Sequence, residues 1–319
     1  MATRRKRRND LNDLTGKEWI KFTRTWFVCD SPRYHRNKPT ELHPARYPEE
    51  LVSEFLGFFT KRDGAVLDPF AGSGATLVAC AENERIGVGV ELSERYARVA
   101  EQRSGNLLTP QTVVQGDARE IGKAEFWGKR RGALEAGGME FARGLPQFDF
   151  AITSPPYWQM LRTSRGGVFS KHKQRAAKGL DTAYSNSRED LGNVRDYGEF
   201  IEGLGRVFDQ VRRCVKEGKY LVVVAQNLRA PDGSVRMLAW DLAWRIEGTR
   251  GRRRAPAEQK PGGASAASCR SNAASRWLFQ GERIWCQNTK PLGIWGYPTV
   301  FVPNYHHHYC LIFRKVGNR

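Results

Sequence analysis

The sequence predicts a doubly wound α/β fold, a mostly parallel sheet covered by helices. Three observations carry that prediction. Short apolar runs of strand character alternate with amphipathic helical segments along the chain. One run, Tyr220 to Ala225, is continuously apolar, as a strand buried on both faces must be. Glycine-bearing or acidic turns follow the strands, where open α/β sheets place their ligands.

Taken in order, Glu49 to Phe59 is a helix with Leu51, Phe55, Phe58 and Phe59 at helical spacing. Ala65 to Leu67 is a short strand, followed by a glycine turn and a helix from about Gly74 to Glu84. Ile86 to Val90 is the second strand, and the next helix carries Tyr96 and Val99 on one face. Thr112 to Val114 and Phe148 to Ile152 supply the third and fourth strands. A helix over Gly198 to Val215 leads into Tyr220–Ala225, and another spans Met237 to Ile246. Arg283 to Trp285 and Tyr309 to Phe313 are strand-like.

Composition narrows the partner. Across 319 residues, 52 Lys and Arg face 34 Asp and Glu, a formal net charge of +18. That excess favours a polyanion, nucleic acid or an anionic membrane face. No apolar run approaches the roughly 18 residues of a membrane span. The basic stretch Arg4–Arg8 is not followed by an apolar segment, so it does not read as a secretory signal. The expected location is the cytoplasm. The six cysteines stand singly, with no C-x-x-C pair to suggest zinc or a disulfide framework. His306-His307-His308 precedes the last strand; neighbours on a strand alternate faces, so the run is a poor metal site and no metal is expected. It reads instead as packing and active-site rim. The tryptophans Trp240, Trp244, Trp277, Trp285 and Trp295 read as core or hydrophobic wall.

The strand tips carry the chemistry. The first runs into Asp68-Pro69-Phe70-Ala71-Gly72-Ser73-Gly74, where Gly72 and Gly74 permit a tight turn and close backbone approach to a ligand. The second ends at Glu91, seventeen residues after Gly74, placed to accept hydrogen bonds from ribose hydroxyls. The third ends at Gly116-Asp117, whose carboxylate can meet an exocyclic amine of adenine. One glycine turn alone would signify little. Three consecutive tips of this kind indicate a cofactor that contains a nucleoside. The fourth strand ends Thr153-Ser154-Pro155-Pro156-Tyr157-Trp158, in which two prolines remove two N–H donors and leave carbonyl oxygens on a rigid turn. A carbonyl and the Ser154 hydroxyl can accept both hydrogens of an amino group, while Tyr157 can stack on the ring that bears it.

These residues resemble a known family. DPFAGSGATLVA (Asp68–Ala79) together with TSPPYW (Thr153–Trp158) is similar to the S-adenosylmethionine-dependent DNA amino-methyltransferases, which modify N4 of cytosine or N6 of adenine. LHPARYPEEL (Leu42–Leu51) resembles the family's N-terminal cofactor motif, and ERIWCQNTK (Glu282–Lys290) a late motif beside the target base. The resemblance extends from about Thr40 to Lys315 and implies a Rossmann-like class I methyltransferase sheet of seven strands, with Tyr309–Phe313 antiparallel. It implies S-adenosyl-L-methionine as cofactor. Asp68, Phe70, Gly72, Ser73 and Gly74 would surround the methionine part, Glu91 would hold the ribose and Asp117 the adenine. Thr40, His43 and Pro44 would close the pocket, and Ser154, Pro155, Pro156 and Tyr157 would form the catalytic turn.

Family members acting on cytosine N4 usually begin that turn with Ser, and those acting on adenine with Asp or Asn, so Ser154 favours cytosine N4 in double-stranded DNA. Ring conjugation makes the amino nitrogen a poor nucleophile. Accepting its hydrogens at Ser154 Oγ and the Pro155 carbonyl would rehybridise it and aim its lone pair at the methyl group. Methylation at cytosine C5 would need a Pro-Cys thiol, and the chain contains no Pro-Cys. A base within a duplex must be flipped out to reach the turn, with Tyr157 and Trp158 as candidate stackers. Adenine-N6 transfer is the nearest alternative. An RNA or protein amide methyltransferase and a catalytically silent DNA-binding module stand further off. A basic flexible tail is expected over 1–16 and the methyltransferase domain over 17–319. Variable segments at about 159–197 and 247–276 are candidates for target recognition. Whether a companion restriction enzyme exists is not written in this chain.

Overall fold

A computed structural model of the chain describes residues 9–30, 47–105, 109, 111–158, 189–230, 233–248, 275–290, 292–294 and 297–317. Most of both variable segments, together with Arg4–Arg8, Thr40, His43, Pro44 and Trp295, lies outside the described residues. The main elements are α1 (Gly16–Phe22), β1 (Trp26–Val28), α2 (Glu49–Phe59), β2 (Ala65–Asp68), α3 (Ala75–Glu82), β3 (Ile86–Glu91), α4 (Glu94–Ser104) and β4 (Gln111–Gln115). They continue with β5 (Phe148–Thr153), α5 (Tyr197–Cys214), β6 (Val215–Ala225), α6 (Leu238–Glu247), β7 (Arg276–Cys286) and β8 (His307–Val316).

One sheet of eight strands runs β1-β7-β8-β6-β5-β2-β3-β4. All neighbouring pairs are parallel except those of β8, which lies antiparallel to both β7 and β6. The expected α/β class and the antiparallel late strand are therefore present. Trp26–Val28 adds an edge strand beyond the seven anticipated, too short to show a period in the sequence.

Strand alternation divides the core. Leu221, Val223 and Ala225 of β6 face a cluster built on α5 and α6, while Val222 and Val224 face a second cluster built on α2 and the start of α3. This is why the strand reads as an unbroken apolar run: both faces are covered. α5 starts at Asp196, whose carboxylate accepts from Glu199 N at 2.7 Å.

The N-terminal boundary needs correction. Asn12 is 1% exposed and donates from Nδ2 to the Phe58 carbonyl. Thr15 and Glu18 form a reciprocal cap on α1, and Phe22 stacks on Phe58 with ring centroids 3.8 Å apart. Packed structure thus begins before residue 16, because α1 and its lead-in cover the aromatic face of α2.

The sheet turns back on itself at β2. From there the chain builds β3 and β4 to one side, then returns to place β5 and β6 on the other. The carboxyl ends of β2 and β5 flank this switch point, the position at which open α/β sheets bind ligands.

Candidate active site

The glycine turn after β2 is built around a buried carboxylate. Asp68 is 2% exposed, and its two oxygens accept from four groups. Oδ1 takes Phe70 N (3.0 Å) and Thr153 Oγ1 (2.6 Å), and Oδ2 takes Tyr47 Oη (2.9 Å) and Thr76 Oγ1. Burial raises its pKa while these donors pull it back down. Gly72 and Gly74 have φ of 52° and 82°, in the left-handed region where a side chain is strained. A Cβ on Gly74 would also lie 3.0 Å from the Ala100 Cβ, so α4 packs against the turn only because that position is glycine. Arg103 of α4 donates to the Ser73 carbonyl and pairs with Glu49 of α2, bracing the turn from behind.

At the tip of β3, Glu91 points back to this turn. Its oxygens accept from Gly72 N at 2.9 Å and Ser93 N at 2.8 Å. Burial pushes its pKa up to about 7, partly offset by those two amides, with the charges of Asp190 and Asp68 adding to the rise. Beyond β4, Asp117 caps a short 3-10 turn by accepting from Arg119 N at 2.8 Å. The Arg119 guanidinium grips both oxygens of Asp117 and reaches the Glu189 carbonyl at 3.1 Å.

β5 delivers the proline turn. Ser154 Oγ and Tyr157 Oη are 3.0 Å apart, and Tyr157 Oη donates to the Val224 carbonyl at 3.3 Å. A carbonyl accepts only, so when the tyrosine donates to Val224 its oxygen can accept the Ser154 proton. The serine lone pairs are left to accept. Tyr157 itself is 5% exposed, with its ring centroid 6.3 Å from that of His308. The ring is therefore packed beneath the turn, and the expected stacking surface for a base is not presented. Trp158 is half-buried, donates to the Val194 carbonyl at 3.1 Å and meets Tyr197 edge-on.

A cleft of about 700 Å³, open solvent included, joins these tips. Phe70, Glu91, Asp117, Ser154, Pro155 and Pro156 line it. Asp68, Gly72, Ser73, Gly74 and Tyr157 stand behind that lining and shape it. Glu189, Asp190, Leu191 and Val207 complete the wall, and sequence reasoning missed them. Glu189 and Asp190 lie late in the variable segment 159–197, and no motif marks them. The cleft's size and its acids at the strand tips, Glu91 and Asp117, fit a nucleoside with a charged appendage.

The histidine run alternates faces as a strand requires. His307 lies beside Tyr309, whereas the half-buried His308 stacks on Trp285 with centroids 4.6 Å apart. Burial drives the pKa of His308 down to about 3. Among the described residues no group of three or more His, Cys, Asp or Glu could hold a metal ion, and no helix is long and apolar enough to cross a membrane. Trp277 and Trp285 are core, as expected, but Trp244 is exposed on the outer face of α6.

Comparison with known proteins gives partial matches. Residues 2–102 match the N6/N4 family model described as DNA methylase. The orphan methyltransferase M.BamHII of Bacillus amyloliquefaciens is 34% identical over 74 residues, which are 23% of this chain and 28% of that protein. The type II methyltransferase M.SmaI of Serratia marcescens is 43% identical over 61 residues, 19% of this chain and 21% of that protein. The chain thus spans less than a third of the length of the curated relatives it matches. Among solved structures, TTHA0409 of Thermus thermophilus, in complex with S-adenosyl-L-methionine, is 20% identical, covering 53% of this chain and 48% of that one, with a TM-score of 0.29. The matched stretch, residues 2–102, holds the glycine turn and Glu91, and is similar to the N6/N4 DNA methylases.

Proposed function

We propose that the protein transfers a methyl group from S-adenosyl-L-methionine to the N4 amino group of a cytosine flipped out of double-stranded DNA. The family match supports the cofactor and the polymer. The observation that carries the chemistry is Ser154, whose Oγ lies 3.0 Å from Tyr157 Oη on the wall of the cleft shared with Glu91 and Asp117.

When bound, the cofactor supplies an electrophilic methyl group on a sulfonium. The chain's own residues do the rest. Glu91 accepts from ribose hydroxyls, and Asp117, oriented by Arg119, accepts from the adenine amine. With its proton given to Tyr157, Ser154 Oγ acts as an acceptor toward an incoming amino group, and the Pro155 carbonyl supplies the second acceptor. Together they draw the nitrogen out of conjugation and fix its direction of attack. No covalent attachment to the protein is needed. Ser at the head of the turn favours cytosine over adenine, following the family pattern.

The test is modification-sensitive sequencing of DNA from cells expressing the wild-type chain or Ser154→Ala. N4-methylcytosine in one sequence context, lost in the variant, is the expected result. N6-methyladenine would overturn the choice of base, and unmodified DNA would overturn the transfer reaction.

A further inference from the structure

The lining of the cleft opposes the charge of the chain. The chain carries a formal +18, yet the described residues that line the cleft include four acids, Glu91, Asp117, Glu189 and Asp190, and no Lys, Arg or His. A phosphate would find no side-chain cation there. A nucleoside that carries a positive charge of its own would find the opposite sign on several sides.

The four acids are not equivalent. Arg119 grips both oxygens of Asp117, so that charge is offset from behind. Glu189 is exposed and screened by water. Glu91, with its pKa at about 7, is only partly ionised at neutral pH. Asp190 is 7% exposed, and its Oδ1 accepts from Gly192 N at 2.8 Å, which holds the carboxylate as the cap of a short 3-10 turn. Its charge reaches Glu91, whose pKa it raises together with Asp68. The wall that carries Asp190 is tied on both sides. Arg119 donates to the Glu189 carbonyl at 3.1 Å from the Asp117 side, and Trp158, at the end of the proline turn, donates to the Val194 carbonyl at 3.1 Å. Asp190 thus stands between Asp117 and the Ser154 turn. A cofactor with its adenine at Asp117 and its methyl group at Ser154 carries its sulfonium past that carboxylate.

We propose that Asp190 is a specificity-determining residue that makes the cleft favour the cationic sulfonium cofactor over the neutral thioether that remains after transfer. The inference rests on the methyltransferase reading above, because cofactor and product differ there by one methyl group and one charge. A buried carboxylate acts on a nearby charge with little screening, so this single side chain can separate the two ligands. The bias holds the reactant and lets the product leave.

The experiment is calorimetry at about pH 8, above the pKa of Glu91, with S-adenosyl-L-methionine and S-adenosyl-L-homocysteine as the two ligands. The full chain is compared as wild type, Asp190→Asn and Asp190→Glu. Asn keeps an oxygen for Gly192 N and removes only the charge. Wild type should bind S-adenosyl-L-methionine the more tightly. In Asp190→Asn that affinity should fall by about 3- to 30-fold while the affinity for S-adenosyl-L-homocysteine changes by less than about 2-fold. Asp190→Glu should retain most of the preference. A pH series with S-adenosyl-L-homocysteine supplies a second readout: losing the neighbouring charge should move the midpoint set by Glu91 to lower pH in Asp190→Asn. Equal losses for the two ligands, or a midpoint that does not move, overturn the inference, since Asp190 would then only shape the wall. So does a wild-type chain that binds the product as tightly as the cofactor, whether or not the variants fold. A wild-type chain that binds neither ligand overturns the methyltransferase reading, and the inference with it.

Discussion

Thr153 Oγ1 donates to Asp68 Oδ1 at 2.6 Å, across the point where the sheet reverses direction. Asp68 ends β2 and opens the glycine turn; Thr153 ends β5 and immediately precedes Ser154. Donor and acceptor are both buried, so the bond fixes the distance between the glycine turn and the proline turn that flank the cleft.

Thr153→Val keeps the side chain's shape but removes that donor. Asp68 Oδ1 retains Phe70 N, so the loss should fall at about 1–2 kcal/mol of folding stability, within the range for one buried partner removed. Denaturant unfolding measures it. Cofactor affinity should change only a few-fold, while the methylation rate falls as the two turns lose register. A variant as stable as wild type would show that the bond contributes nothing across the switch point.

Glu91 should make cofactor binding pH-dependent. Its pKa stands at about 7 in the folded chain against an ordinary value of 4.5, chiefly from burial. The folded state therefore holds its proton more tightly than the unfolded state does. Its contribution to stability is full below pH 4.5 and is lost as pH rises through about 7. Ribose hydroxyls that donate to the carboxylate favour its charged form, so binding should expel a proton. Affinity should rise between pH 5.5 and 7.5, by up to about tenfold per pH unit below the pKa, and level off above it. Calorimetry in buffers of different ionisation enthalpy reads both the affinity and the released proton. In Glu91→Gln this pH dependence should vanish.

Asp117→Ala should weaken cofactor binding by about 1–3 kcal/mol, the cost of leaving a partner unpaired. Arg119 is the more informative site, because its guanidinium both orients Asp117 and holds the Glu189 carbonyl. Arg119→Ala should weaken binding less than Asp117→Ala does, since Asp117 still accepts from the residue 119 backbone amide. Equal losses in the two variants would mean that Arg119 itself contacts the cofactor.

What the sequence revealed follows the range of each interaction. Glu49–Phe59 was readable to the residue, because a helix with four apolar side chains on one face declares its own ends. The tips at Glu91, Asp117 and Ser154 were legible for a similar reason: each sits in sequence next to the strand that presents it. β7 was seen only as Arg283–Trp285, although it runs from Arg276 to Cys286. Gly281, at φ 119°, shifts the register there and breaks the alternation that would have marked the rest. Tyr47, Arg103 and Glu189 could not be found, because each acts on a residue 21 or more positions away. Only the folded sheet brings such pairs together.

The structure also changes what Tyr157 is expected to do. As an exposed ring it would stack on the extruded base, and a variant lacking it would be rescued whenever the base is already unpaired. Buried beneath the turn, its hydroxyl instead can accept a hydrogen bond from Ser154 while donating one to the Val224 carbonyl. Tyr157→Phe keeps the packed ring against His308 and removes only the hydroxyl. Ser154 would then be free to turn its proton toward the incoming amino group, where an acceptor is required. The expected result is a fall in kcat of about tenfold, smaller than the roughly 10²–10³ expected for Ser154→Ala, with cofactor affinity intact in both. Neither defect should shrink on a mismatched duplex, because neither residue acts on extrusion. Ser154→Ala combined with Tyr157→Phe should be no slower than Ser154→Ala alone, since the tyrosine acts only through the serine. Rapid-quench measurements of the three variants on paired and mismatched DNA supply all of these comparisons. A Tyr157→Phe defect that the mismatch abolishes would return Tyr157 to the base and remove it from the relay.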